Sequence, residues 1–255
     1  MFNWYRHWRS GRIIARSVIT PEQWQTAFSQ LPLLNRLTAE EKQQLQNLSI
    51  LFLHEKSIEG ARECIVDDAM RLLIALQACL PVLKLDLSWY QGWTSVIVYP
   101  GAFVAEQKFT DESGVVHTMN QALGGEAWLR GPVILAWDDT RHAGYIDGQN
   151  LVIHEFSHKL DMMNGVANGF PPLHADMNKH EWSKSFEAAF SDFRKNLYSH
   201  QRAGIDHYAA TNPGEFFAVL SEVFFETPQV IEKYYPSVYA NLAQFYRQNP
   251  LETGV

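Results

Sequence analysis

The chain has 255 residues, 46% of them hydrophobic and 19% charged, which supplies a substantial core and excludes disordered and fibrous classes. Its 21 basic and 28 acidic side chains leave a net charge of −7, the wrong sign for neutralising phosphates, so no direct nucleic-acid ligand is expected. Two cysteines, Cys64 and Cys79, give no disulfide framework and fit a reducing, cytoplasmic setting, and no apolar run reaches the roughly 18 residues of a membrane span.

The N-terminal residues 1–19 carry Arg6, Arg9, Arg12 and Arg16 without an acid, interleaved with Phe2, Trp4, Tyr5 and Trp8. They read as an arm, mobile or with its aromatics packed on the body; a membrane-surface or transit role is the competing use. Thr20-Pro21-Glu22 then supplies an N-cap, a first-position proline and an acid in the first turn of a helix. Thr38-Ala39-Glu40-Glu41 is a capping box opening a helix to about His54. A third helix spans about Val66 to Cys79, with apolar residues at helical spacing and a stop before Pro81.

The middle changes period. Thr94–Tyr99, Gly114–Met119 and Gly131–Trp137 are short β-rich runs bounded by turn residues, and with no full-length helix between them they predict a small, twisted, mixed or antiparallel sheet. Helix returns at Asn150–Met163, at Asn178 to about His200, at Pro213–Glu226 behind an Asn212 cap, and at Pro236 to about Gln248. The Gly-, Asn- and Pro-rich stretch Gly165–Pro172 is expected to be the mobile piece, able to cover a cleft. The fold class is α+β, and residues 20–255 read as a single domain: a helical lobe over 20–88, then a sheet and further helices over 89–255.

Chemistry concentrates in His154-Glu155-Phe156-Ser157-His158. On a helix, positions i and i+4 share one face with Cβ atoms about 5–6 Å apart, so two imidazoles there can bind one Zn²⁺. Glu155, about 100° further round, is placed to take a proton from a metal-held water rather than to join the ligands. A hydrolytic zinc site wants a third protein ligand and an open position. The candidates downstream are Asp161, His174, Asp206, His207, Glu215 and Glu222. Asp161 follows His158 on the same helix and cannot converge with both histidines on one ion, so it reads as an acceptor for a ligating histidine's free N–H. A further histidine after a Gly in the metzincin manner is absent: position 161 is Asp and position 164 is Asn. Spacing alone leaves Glu215 and Glu222 as rivals, since Asn212 and Glu215 also spell a helix cap that would employ Glu215 without metal. Tyr208 is a candidate donor to a developing oxyanion.

The runs His154–Gly165, Tyr208–Phe225 and Phe245–Pro250, with Cys79–Leu83 and Gly131–Leu135, resemble the Mlc titration factor A family of bacterial zinc peptidases. The resemblance covers the chain from about Leu34 onward. It implies a gluzincin-like catalytic region similar to the protease domain of anthrax toxin's lethal factor, whose Tyr-x6-Glu-Phe-Phe-Ala spacing recurs at Tyr208–Ala218. It also implies one Zn²⁺ per chain on His154, His158 and Glu215, with Glu155 as base and Tyr208 facing the intermediate. Glu222 then becomes a carboxylate that supports a ligand or packs the helix. The implied activity is peptide hydrolysis, aminopeptidase-type, on peptide or protein substrates, with a glucose-responsive transcription repressor as partner and a link to sugar uptake. An exopeptidase needs an acid for the substrate's amine, and Glu126 is the weak candidate. Two other readings stay open: a repressor-binding regulator with secondary peptidase activity, and a metal-free inactive relative.

Overall fold

A computed structural model describes residues 2–110, 116–123, 125–127, 131–197 and 204–252, with side chains described over 8–102, 131–197 and 204–252. Four helices open the chain: α1 (Phe2–Ala15), α2 (Pro21–Ser29), α3 (Ala39–Glu55) and, after the short strand β1 (Ser57–Gly60), α4 (Asp68–Cys79). The predicted caps form. Thr20 accepts from Gln23 N and Thr38 from Glu41 N, each in a reciprocal capping box. Helix α4 starts two residues later than its apolar spacing suggested, because Asp67 takes the N-cap and accepts from Met70 N. Residues 2–15 are helical and pack along α3.

The sheet contains β1, β2 (Ser95–Tyr99), β6 (Val133–Ala136) and β5 (Gly125–Ala127), in the order β1-β2-β6-β5. The first three are parallel, with Ser57 opposite Ser95 and Val96 opposite Val133; β5 runs antiparallel at the edge. The sheet is therefore mixed, as expected, but its centre is parallel. Helix α4 supplies the crossover between β1 and β2. Strands β3 (Phe103–Thr110) and β4 (Val116–Leu123) form a separate antiparallel hairpin. The expected strand at Gly114–Met119 corresponds to β4, and Gly114 and Val115 lie outside the described residues.

The C-terminal half is helical: α5 (Trp137–Thr140), α6 (Leu151–Asp161), α7 (Lys179–Lys195), α8 (Pro213–Glu226), α9 (Pro228–Tyr234) and α10 (Pro236–Tyr246). Helix α8 spans the expected Pro213–Glu226 behind its Asn212 cap. Almost all of it is buried, so its Phe-rich sequence shows no solvent-facing polar stripe, and its carboxylates Glu215, Glu222 and Glu226 share one inward face. Helix α6 lies between α8, α4 and the β5–β6 edge. Its Phe156 sits in a cluster of rings with Phe52, Tyr90 and Trp93, at centroid distances of 5.7, 5.2 and 5.6 Å. That anchors one face of α6 in the core and turns the His154–His158 face toward α8. Among the described residues no helix is long and apolar enough to cross a membrane.

Candidate metal centre

Asn150 caps α6 by accepting from Ile153 N at 2.9 Å, and the two histidines follow on consecutive turns with ring centroids 4.8 Å apart. Helix α8 brings Glu215 to them from its first turn, where Asn212 Oδ1 accepts from Glu215 N at 3.0 Å. Cap and site thus use different atoms of one residue: the backbone N–H serves the cap and the carboxylate is left for the histidines. Glu215 Oε2 stands 3.0 Å from His154 Nε2 and 3.1 Å from His158 Nε2, and the two Nε2 atoms are 3.2 Å apart. These three side chains are the one group among the described residues whose donor atoms converge as a metal set would.

Their arrangement fits a cation. Two donors held tetrahedrally by Zn²⁺ at about 2.0–2.1 Å stand about 3.3–3.4 Å apart, close to all three observed separations. The neighbouring hydrogen bonds argue the same way. Glu222 Oε1 lies 2.7 Å from His154 Nδ1, while its Oε2 accepts from Asn150 N at 2.5 Å. Burial raises the Glu222 carboxyl, opposed by its bonds to His154 and Asn150. When Glu222 is ionised, Nδ1 is the N–H donor, and a neutral His154 aims its Nε2 lone pair at the Glu215 oxygen and at His158. Lone pairs converging this closely in a buried site repel unless a cation or proton lies among them. Without metal the protons respond accordingly. Burial opposes charge on His154, but Glu222 and Glu215 outweigh it and hold its pKa well above the ordinary value. Burial works against the Glu215 carboxylate too, yet hydrogen bonds from His154 and His158 keep its pKa far below the usual range.

Glu155 is 3% exposed, beside the histidines and on a different face of α6. Tyr208 stands in a 3₁₀ turn at His207–Ala210, its ring centroid 6.1 Å from that of His154 and 40% of its surface open. Burial, the charges of Glu215 and Glu155, and a hydrogen bond to Glu215 push its hydroxyl up to about 12, so it remains an O–H donor at neutral pH.

The other candidates lie elsewhere. His174 Nε2 contacts Phe245 O at 2.8 Å and its ring packs on Trp89, a structural use. Asp206 caps the 3₁₀ turn through Tyr208 N, and His207 is exposed outside the converging set. Asp161 does not take a ligating histidine's N–H; its Oδ2 accepts from Gly169 N at 2.7 Å, while Glu222 serves His154. The stretch Gly165–Pro172, expected to be mobile, is tied down by that bond and by Trp182 Nε1 donating to Gly169 O at 3.0 Å. Glu126 lies in β5, with its side chain outside the described residues.

Behind Glu222 is a buried network that the sequence reading missed. Asn150 Nδ2 donates to Gln77 Oε1 and to Glu226 Oε1, and Glu226 also accepts from Gly144 N and Gly148 N. Glu226 follows Glu222 by one helical turn on the same face, and that i,i+4 pair was its sequence signal.

A family model described as glucose-regulated metallo-peptidase M90 matches residues 5–247. Among curated relatives, Mlc titration factor A of Escherichia fergusonii is 38% identical over 238 residues, covering 91% of this chain and 89% of the relative. Proteins of the same name from Cronobacter sakazakii and Salmonella typhi are 37% and 39% identical, covering 96% and 89% of this chain and 91% and 86% of their own lengths.

Proposed function

The chain belongs to the glucose-regulated metallo-peptidase M90 family, and from that premise we propose that it hydrolyses peptide bonds with zinc held by His154, His158 and Glu215. The observation that carries this reading is the approach of Glu215 Oε2 to both Nε2 atoms at 3.0 and 3.1 Å, beside buried Glu155. When bound, the metal supplies Lewis acidity, lowering the pKa of water and polarising the scissile carbonyl. The residues do the rest. Glu155 takes the water's proton and delivers it to the leaving amine. Tyr208, protonated throughout, donates to the oxygen that gains charge. Glu222 holds the His154 ring in the tautomer that presents Nε2.

The outer edge of β5 is the proposed rail for substrate. It is the antiparallel edge of the sheet and adjoins α6, so an extended peptide can pair with it by main-chain hydrogen bonds. An aminopeptidase-type specificity would add an acid for the free amine, and Glu126 on that strand is the proposed group. The test compares peptides with free and acetylated N-termini, using wild type and Glu155→Gln. Activity surviving in Glu155→Gln contradicts the mechanism, and equal turnover of both peptides contradicts the exopeptidase reading.

A second reading rests on the relatives' name, which ties them to Mlc. We propose that this chain, too, engages a glucose-responsive transcription repressor of the Mlc kind in the cytoplasm, where Cys64 and Cys79 stay as thiols. Capture of such a repressor by Glu155→Gln as well as by wild type supports binding apart from catalysis. Capture by neither removes the repressor reading.

A further inference from the structure

The third donor reaches the histidines from a different helix, so something must fix α8 against α6 at the site. Glu222 and Glu226 bond the later turns of α8 to His154 and Asn150, but Glu215 sits two turns earlier than Glu222. A metal site tolerates donor errors of only a few tenths of an ångström, so the first turn of α8 needs its own fixing. The structure places a mechanical connection there. Asp161, three residues beyond His158 on α6, reaches out of the helix end and accepts from Gly169 N at 2.7 Å. Trp182 of α7 holds the same glycine from the other side through its carbonyl. Gly169 has φ +76°, and a Cβ on it would stand 2.5 Å from the Pro213 carbonyl oxygen. The loop therefore lies directly against the first turn of α8.

The contact is reciprocal. A Cβ on Gly214 would stand 2.9 Å from the Ala167 carbonyl oxygen and 3.1 Å from Asn212 Oδ1, the atom that caps Glu215 N. Gly214 immediately precedes Glu215. Two glycines thus let the loop and the start of α8 interlock at backbone distance, and the interlock ends on the residue whose carboxylate meets the histidines.

We propose that Asp161, Gly169 and Gly214 form a positioning lock that sets the reach of Glu215, and through it the affinity of the site for a small tetrahedral cation. This rests on the metal-site reading given above. Asp161 acts here as a hydrogen-bond acceptor for the loop. Its Oδ1 and His158 Nδ1 are both buried without a hydrogen-bond partner among the described residues, so no bond joins Asp161 directly to the histidine.

The lock separates from a purely electrostatic role by the conservative substitution. Asparagine keeps an oxygen for Gly169 N and loses the charge; alanine loses both. The experiment titrates Co²⁺ into the metal-free full-length chain and reads both the dissociation constant and the visible d–d absorption. Melting in excess chelator, run alongside, reports the fold without metal. Asp161→Ala is expected to weaken Co²⁺ by about 10–100-fold and to alter the band shape, since the donor geometry changes. Gly214→Ala is expected to do the same, and Asp161→Asn to stay close to wild type in both readouts. Trp182→Phe, which removes the other tie to Gly169, shifts the spectrum in the same direction and serves if Asp161→Ala does not fold. The lock is overturned if Asp161→Asn falls as far as Asp161→Ala, or if Asp161→Ala and Gly214→Ala bind Co²⁺ with wild-type affinity and spectrum. A wild-type chain that gives no Co²⁺ spectrum overturns the metal-site reading and the lock with it; normal wild-type binding with unaffected variants overturns the lock alone.

Discussion

Replacing Glu222 by glutamine probes how far the site depends on groups that would never touch the metal. Glu222 gives one oxygen to His154 Nδ1 at 2.7 Å and the other to Asn150 N at 2.5 Å. Glutamine keeps a single oxygen, so one of those donors faces an amide N–H₂ instead. Loss of such a partner typically costs 10–100-fold in metal affinity, or about 1.4–2.7 kcal/mol. The effect reads out through stability. Free zinc at about 1,000 times the dissociation constant stabilises the fold by about 4.1 kcal/mol, which for a chain of this size is about 8–16 °C in Tm. At the same zinc concentration Glu222→Gln should retain about 1.4–2.7 kcal/mol of that, a gain of about 3–11 °C. Glu215→Ala should lose nearly all of it. The assay is thermal denaturation followed by circular dichroism, in excess chelator and again in buffered free zinc. Comparing each variant with itself cancels the cost of disturbing the fold. A full zinc gain in Glu222→Gln, or a larger gain in Glu215→Ala than in Glu222→Gln, refutes the assignment of ligand and supporting carboxylate.

Three further outcomes follow from the same geometry. Glu155→Gln should bind zinc like wild type and lose peptide hydrolysis by at least about 10²-fold, measured by metal analysis and turnover together; loss of zinc in that variant would make Glu155 a ligand instead of a base. Tyr208→Phe should keep full zinc and lose about 10²–10³ in kcat, the usual cost of one oxyanion donor, and unchanged turnover would remove Tyr208 from the reaction. Burial raises the Glu226 carboxyl to about 7 from an ordinary 4.5, against the hydrogen bonds it accepts. Between those values the folded chain holds a proton that the unfolded chain has released. This group's contribution to stability therefore falls as pH rises through that window, by roughly 3 kcal/mol. Glu226→Gln should flatten the metal-free Tm-versus-pH curve there, and a curve parallel to wild type would show that Glu226 does not titrate in the window.

Local signals and long-range ones were unequally legible. Helices α2, α3 and α8 announce their starts through Thr20, Thr38 and Asn212, because a cap is a contact between residues three apart. His154 and His158 share a helix face for the same local reason. Helix α1 was hidden by its own composition: arginines and aromatics without an acidic first turn carry no start signal. Strand β1, Ser-Ile-Glu-Gly, has one buried side chain and gains strand geometry only from pairing with β2. Glu215 and Glu222 sit two turns apart on one face, so sequence spacing could not rank them. Packing α8 on α6 separates them: Glu215 faces both Nε2 atoms, and Glu222 faces the far nitrogen of His154. The loop at Gly165–Pro172 misled for the converse reason. Glycine and asparagine mark freedom in a free chain, yet here Gly169 is required by close approach to Pro213 and is held by Asp161 and Trp182.

The proposed chemistry depends on one zinc ion held jointly by His154, His158 and Glu215. Elemental analysis of the chain purified without chelator, beside His158→Ala prepared identically, tests it most directly. Close to one zinc per wild-type chain is expected and almost none in the variant, since two remaining donors hold zinc too weakly to survive purification. Stoichiometric zinc in His158→Ala, or wild type with no transition metal and no uptake of added zinc, would contradict it.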